Sequence, residues 1–255
     1  MFTIPKPTLG EVTAITITSP DLDKSFNFYK TLGFTEVMRM DFPFPWIQIS
    51  DGALLIMLRK DDQPYIALTY YVKDIDIVVA AIESKGIEFI EKPKPTDWVK
   101  RYVMASPDKV LISLVNIMDG FTQPKGKTML TMAQEDYMKP SEYQNKICGM
   151  YGEFAQPVAN LQQSISFWEK LGFVVLSKFQ MQYPWAIMTD GLAILGLHQT
   201  NEFLKPTITF FAADMKEKIA SLKAGGLKSY TDKGEANIVL TTPEGQHINL
   251  FKMGM

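Results

Sequence analysis

Glu153, His198, His247 and Asn249 are the residues of this chain whose types could do chemistry together. A carboxylate beside an imidazole can move a proton next to a carbonyl, and the same groups can hold a divalent cation. The chain has two histidines, and strand parity predicts that both share one face of a sheet with Glu153. A blander reading stands beside that one. His198 is then a solvated residue at a strand end, where the first half has Arg59, and His247 follows a turn and faces water. Glu153 resists that reading, because burying an unpaired carboxylate costs on the order of several kcal/mol.

Aromatic residues form the second candidate set. Trp46 and Trp185 recur in "PFPW" and "QYPW", where an aromatic wall would suit a flat or cationic ligand. They read equally as strand entries packed on a sheet rim. Trp98, in "PTDWVKRYV", has no partner in the second half. It either closes the first cleft, with Arg101 able to meet an anionic group, or lies on a surface loop. Cys148 has no histidine near it in sequence and reads as an inert thiol.

These residues can be placed because the chain repeats. "SPDLDKSFNFYKTLGF" from Ser19 aligns with "VANLQQSISFWEKLGF" from Val158, and Gly33 falls on Gly172, an offset of 139. The same offset carries Pro45-Trp46 onto Pro184-Trp185 and Asp51-Gly52 onto Asp190-Gly191. Later, "YYVKDIDIVVAAIESKG" matches "FFAADMKEKIASLKAGG", and "SPDKVLISLV" matches "TPEGQHINLF". A match of that length marks a duplication.

Each half again holds two units of the same form: a strand, a helix ending at glycine, then further strands. In "VTAITIT", Ile15 and Ile17 alternate with Ala14, Thr16 and Thr18, the period of a half-buried strand. The next helix starts at Ser19 or Asp21, shows Leu22, Phe26, Tyr29 and Leu32 on one side, and stops at Gly33. In the second unit Ile75, Val79 and Ile82 form the helix stripe. Parity gives the first half a mostly apolar cleft face of Ala14, Thr16, Met57, Ala67, Thr69, Leu111, Ser113 and Val115. The second half's face reads Glu153, Ala155, Gly196, His198, Thr207, Thr209, His247, Asn249 and Phe251. Gln156 falls where the first half has Ile17, on the face that should meet a helix.

Length and an apolar fraction of 46% support two packed domains. Residues 1–117 are read as the N-terminal domain, 118–148 as a linker with one short helix, and 149–255 as the C-terminal domain. Charges nearly balance, at 26 basic against 28 acidic residues, and form no track for nucleic acid or a membrane surface. A single cysteine, no signal-like start and no apolar run of membrane-spanning length place the protein in the cytoplasm.

The repeated units, with "DLDKSFNFYKTLGF", "VKDIDIVVAAIESKG" and "SPDKVLISLV", resemble the vicinal oxygen chelate superfamily, which includes glyoxalase I, bleomycin-resistance proteins and extradiol dioxygenases. The resemblance implies an α+β fold of two tandem glyoxalase-like domains, each of two βαβββ units forming a curved mixed sheet around a cleft. In metal-dependent members the ligands, usually His and Glu, come from the first and last strands of each unit. Those positions here are Ala14, Met57, Ala67 and Ser113, then Glu153, Gly196, Thr207 and Asn249. No ordinary metal site is expected, though Glu153 with a histidine leaves room for a divalent cation in the C-terminal domain. Two functions follow. One is a small-molecule binder whose ligand meets Trp46, Trp98, Arg101, Trp185, His198, Thr207 and Asn249. The other is a lyase, isomerase or dioxygenase-like enzyme using Glu153 with His247 or His198. The expected partner is a small molecule, with no nucleic acid or membrane, and the chain is a monomer or homodimer.

Overall fold

The structure is a computed structural model that describes residues 4–254. The start of the chain, read above as not signal-like, lies partly outside the described residues, at positions 1–3. Four units follow one another, the second βαββ and the other three βαβββ. The first is β1 (Val12–Ser19), α1 (Leu22–Thr31), β2 (Thr35–Met40), β3 (Trp46–Ser50) and β4 (Leu55–Lys60). The second is β5 (Ile66–Val72), α2 (Ile75–Glu83), β6 (Arg101–Ala105) and β7 (Leu111–Asn116). The third comprises β8 (Met150–Pro157), α3 (Leu161–Lys170), β9 (Val174–Phe179), β10 (Trp185–Thr189) and β11 (Ile194–His198). The fourth comprises β12 (Thr207–Ala212), α4 (Met215–Ala224), β13 (Tyr230–Asp232), β14 (Asn237–Thr241) and β15 (His247–Lys252).

Two mixed sheets result, ordered β2-β3-β4-β1-β5-β7-β6 and β13-β14-β15-β12-β8-β11-β10-β9. The fold is α+β, two tandem domains of the expected architecture. Local chemistry explains the helix starts. Asp21 caps α1 by accepting the Lys24 amide at 3.0 Å, and its repeat counterpart Asn160 caps α3 through the Gln163 amide at 3.0 Å. Gly33 and Gly172, past the ends of α1 and α3, take φ of +88° and +92°, which an L side chain rarely adopts. The stripe of α2 is buried at Ile75, Val79 and Ile82, as its spacing predicts. On α1 the buried side is Ser25, Tyr29 and Leu32, while Leu22 and Phe26 are only half-buried.

The strand β2 is implied by the βαβββ unit, though no alternation in the sequence marks it. It is an edge strand with hardly any buried side chain, so it carries none of the alternation that marks a half-buried strand. The segment between the halves holds two short 3₁₀ turns, Gln134–Asp136 and Pro140–Glu142, in place of one helix. It is anchored by Tyr143, whose hydroxyl donates to the Tyr137 carbonyl at 2.6 Å and accepts the Ala213 amide at 2.9 Å. Cys148 is fully buried, and burial pushes its thiol pKa up, away from thiolate chemistry.

By their contacts the strands form two compact units that cut across the sequence halves. One contains the described residues up to Thr16, with Tyr65–Gln123 and Ala155–Pro206; the other contains Ile17–Pro64, Pro124–Phe154 and Thr207 onward. Repeated side-chain bonds tie each unit together. In one, Ser164 donates to Asp108, and Tyr70 donates to Asp190 at 2.7 Å. In the other, Ser25 and Tyr29 donate to Glu244 at 2.7 and 2.8 Å, and Asn145 donates to Asp51 at 3.0 Å. Asp51 and Asp190 also accept amides of their own turns, Ala53 and Leu54 in one, Leu192 and Ala193 in the other. Burial raises both carboxyl pKa values, against the lowering effect of those hydrogen bonds. Gln156 is fully buried at the position Ile17 holds in the first half. Among the described residues neither polar atom of its side-chain amide has a hydrogen-bond partner.

Candidate functional site

The second unit presents one sheet face on which polar and aromatic side chains alternate with core. Parallel pairing of β12 with β15 sets Thr207 opposite His247, Thr209 opposite Asn249 and Phe211 opposite Phe251. Antiparallel pairing of β14 with β15 adds Thr241, Val239 and Asn237 alongside. The intervening residues, Ile208, Phe210, Ile248, Leu250, Ile238 and Leu240, are essentially solvent-free and form the core side. On the other face Thr207, Thr209 and Asn249 are buried, whereas His247, Phe211 and Phe251 are half-buried.

Asn249 organises the polar end. Its Nδ2 donates to the Thr207 hydroxyl at 2.9 Å and to the Thr209 hydroxyl at 3.1 Å. Glu153 lies in β8, the strand beside β12, and is 3% exposed. The Tyr151 phenol, two residues away, has its pKa raised by burial first and then by the charges of Glu153 and Asp51. Between them, Gly152 lets an aromatic ring settle on the strand: a β-carbon there would lie 2.4 Å from two ring carbons of Phe211. The sequence reading missed Gly152 and Phe211, whose relation depends on a cross-strand packing that no local pattern carries.

His198 and Trp185 belong to the other unit and are stacked, rings 5.3 Å apart and 7° from parallel. Strand register explains it, since Trp185 pairs with His198 on β11 and with Phe179 on β9. Phe179 stacks on the indole at 4.0 Å. Tyr183 and Phe203 approach the imidazole edge-on, and the Tyr183 hydroxyl lies 3.4 Å from Nδ1. His198 is thus an aromatic-packed, buried residue, and the solvated strand-end reading does not hold for it. Its counterpart Arg59 bonds to Asp61 at 3.0 Å and lies over the Phe44 ring. Trp46 is 2% exposed within β3. Trp98 is 65% exposed, and Arg101 pairs with Glu91 and faces the Tyr65 ring.

The matching face in the first half lies in the other unit. Ala67, Thr69 and Tyr71 on β5 stand opposite Leu111, Ser113 and Val115 on β7. The Thr69 and Thr16 hydroxyls are 2.7 Å apart, and Phe121 covers Tyr71 with ring centres 4.4 Å apart. A groove of about 710 Å3 elsewhere in the second unit is lined by Phe28, Lys146, Ile147, Lys218 and Leu222. Its best-buried cation, Lys218, is already bound to the Lys146 carbonyl and Asp214.

The superfamily's metal-dependent members imply a metal, and these residues do not fit one. Alanine, methionine and serine occupy the ligand positions of the first half, and the second offers one carboxylate, a glycine, a threonine and an amide. That amide turns its nitrogen, which is no metal donor, toward Thr207 and Thr209. Among the described residues no group of three or more His, Cys, Asp and Glu side chains is placed to hold a metal ion.

Residues 11–114 match the model of the Glyoxalase/Bleomycin resistance protein/Dioxygenase superfamily. No curated protein matches the chain. Among solved structures, the 2,3-dioxygenase LapB from Pseudomonas sp. KL28 is 14% identical with a TM-score of 0.61, covering 99% of this chain and 94% of that one. A variant of homoprotocatechuate 2,3-dioxygenase from B. fuscum, in complex with HPCA, is 17% identical with a TM-score of 0.59, over 96% of this chain and 72% of that one. The Arthrobacter globiformis homoprotocatechuate 2,3-dioxygenase is 17% identical with a TM-score of 0.58, over 98% and 82%. At such identities the likeness is one of fold. The family match covers residues 11–114, and the internal repeat carries the same sequence pattern into the second half.

Proposed function

We propose that this is a cytoplasmic small-molecule-binding protein of the glyoxalase/bleomycin-resistance type, which holds a small aromatic ligand in its second half without the superfamily's metal chemistry. One observation carries the reading: two of the ligand positions, Thr207 and Asn249, are hydrogen-bonded to each other, on a face whose other end is Phe211 and Phe251. Neutral hydroxyls and an amide can fix a ligand's orientation through hydrogen bonds. The polar end selects a functional group and the half-buried rings accept an aromatic body.

The test is metal content by mass spectrometry of untagged protein, after reconstitution with Zn, Ni, Fe or Mn, for wild type and Glu153→Ala. The expected result is no stoichiometric metal in either. Stoichiometric metal in the wild type that Glu153→Ala loses would overturn this reading. It would favour the second, an enzyme in which Glu153 works with His247, a reading supported by the deep burial of Glu153 beside Tyr151. In that case Glu153→Gln abolishes turnover, whereas a pure binder keeps its ligand affinity within about threefold, since no charge-assisted bond to the ligand is lost.

A further inference from the structure

The direction of the Asn249 hydrogen bonds sets what the ligand must bring. An amide nitrogen only donates, so each threonine oxygen accepts in its bond to Asn249, and each hydroxyl hydrogen points elsewhere. Thr207 and Thr209 are 1% and 2% exposed, where a donor without an acceptor is costly. Among the described residues, the bonds from Asn249 are the hydrogen bonds these two hydroxyls make. We propose that Asn249 is a positioning residue that turns Thr207 and Thr209 into a pair of donors, and that the ligand is an aryl ketone or a similar aromatic with an acceptor oxygen.

This deepens the binding reading above and rests on it. The ring has a place, because Phe211 and Phe251 lie two residues along their strands from Thr209 and Asn249, on the same face. That is about 6–7 Å, a distance spanned by one hydrogen bond and the link from a carbonyl oxygen to its attached ring. The first half differs: Ala67 stands where Thr207 does, and the Thr69 hydroxyl is hydrogen-bonded to that of Thr16.

The probes are acetophenone and α-methylstyrene, the same shape with an oxygen or a methylene. Titrated into the full chain and followed by amide NMR, acetophenone should bind about ten- to a hundredfold more tightly, the effect of two added hydrogen bonds. Asn249→Asp puts a carboxylate acceptor beside both hydroxyls and draws their hydrogens inward. It should lower acetophenone affinity to that of α-methylstyrene and leave α-methylstyrene unchanged. Thr209→Val, which keeps the shape and removes one donor, should lower the preference about three- to tenfold. If Asn249→Asp weakens both compounds equally, its role is structural and the donor assignment falls. Equal wild-type affinity for the two probes also overturns the assignment and leaves the binding reading standing. If neither compound moves the resonances of Thr207, Thr209 and Phe211, both readings fall.

Discussion

The face built by β5, β6 and β7 and the face built by β12, β14 and β15 have the same register, and they have been put to different uses. At the first, Tyr71 is 4% exposed beneath Phe121, Val103 is buried, and the Thr16 and Thr69 hydroxyls are hydrogen-bonded to one another. At the second, Phe211 and Val239 occupy the same places half-buried, and the threonines accept from an asparagine that the first face replaces with Ser113. The lesson is that a duplicated scaffold diverges at the side chains across one strand pair while the backbone pairing stays. A face that satisfies its own polar groups becomes core, and one that leaves them pointing outward keeps the capacity to bind.

That contrast can be broken first with phenylalanine. Phe121→Ala should cost about 3–5 kcal/mol of stability in urea unfolding, because it empties a packed site over Tyr71. Phe251→Ala, on the half-buried face, should cost about 1–2 kcal/mol and weaken acetophenone binding. If the two variants lost equal stability, the second face would be core as well. A smaller effect of opposite sign is expected at Gln156→Ile, which restores the residue type of Ile17. Relief of a buried amide without partners should add about 1–3 kcal/mol and raise the melting midpoint by several degrees. An unchanged or lowered midpoint would show that Gln156 is satisfied in solution. The smallest effect is expected from Thr69→Val, which leaves the Thr16 hydroxyl without its partner at about 1 kcal/mol. It should leave acetophenone affinity at its wild-type value, whereas Thr209→Val lowers it.

Much of this was legible in the sequence because repetition substitutes for missing information. A match between "FYKTLGF" and "FWEKLGF" locates two helices and two glycine stops at once, and parity along β12 and β15 follows from the strands' apolar alternation. What stayed hidden was cross-strand. Trp185 looked like a wall for a ligand, yet the register of β9, β10 and β11 places Phe179 on one face of its indole and His198 on the other. His198 looked exposed because it ends a strand, and it is enclosed by rings from loops that no periodicity describes. Ser25, a small polar residue in α1, is buried where a carboxylate 219 residues away receives its hydroxyl.

That distance has a consequence for how the chain reaches its native state. Ser25 and Tyr29 are made early and must wait for Glu244, and Tyr70 must wait for Asp190 across 120 residues. Contacts of such sequence separation slow folding, since loop closure must come before they give any stability. Neither compact unit is complete when the first half of the chain has left the ribosome. A cut within residues 118–148 would therefore leave two fragments that each contribute strands to both compact units.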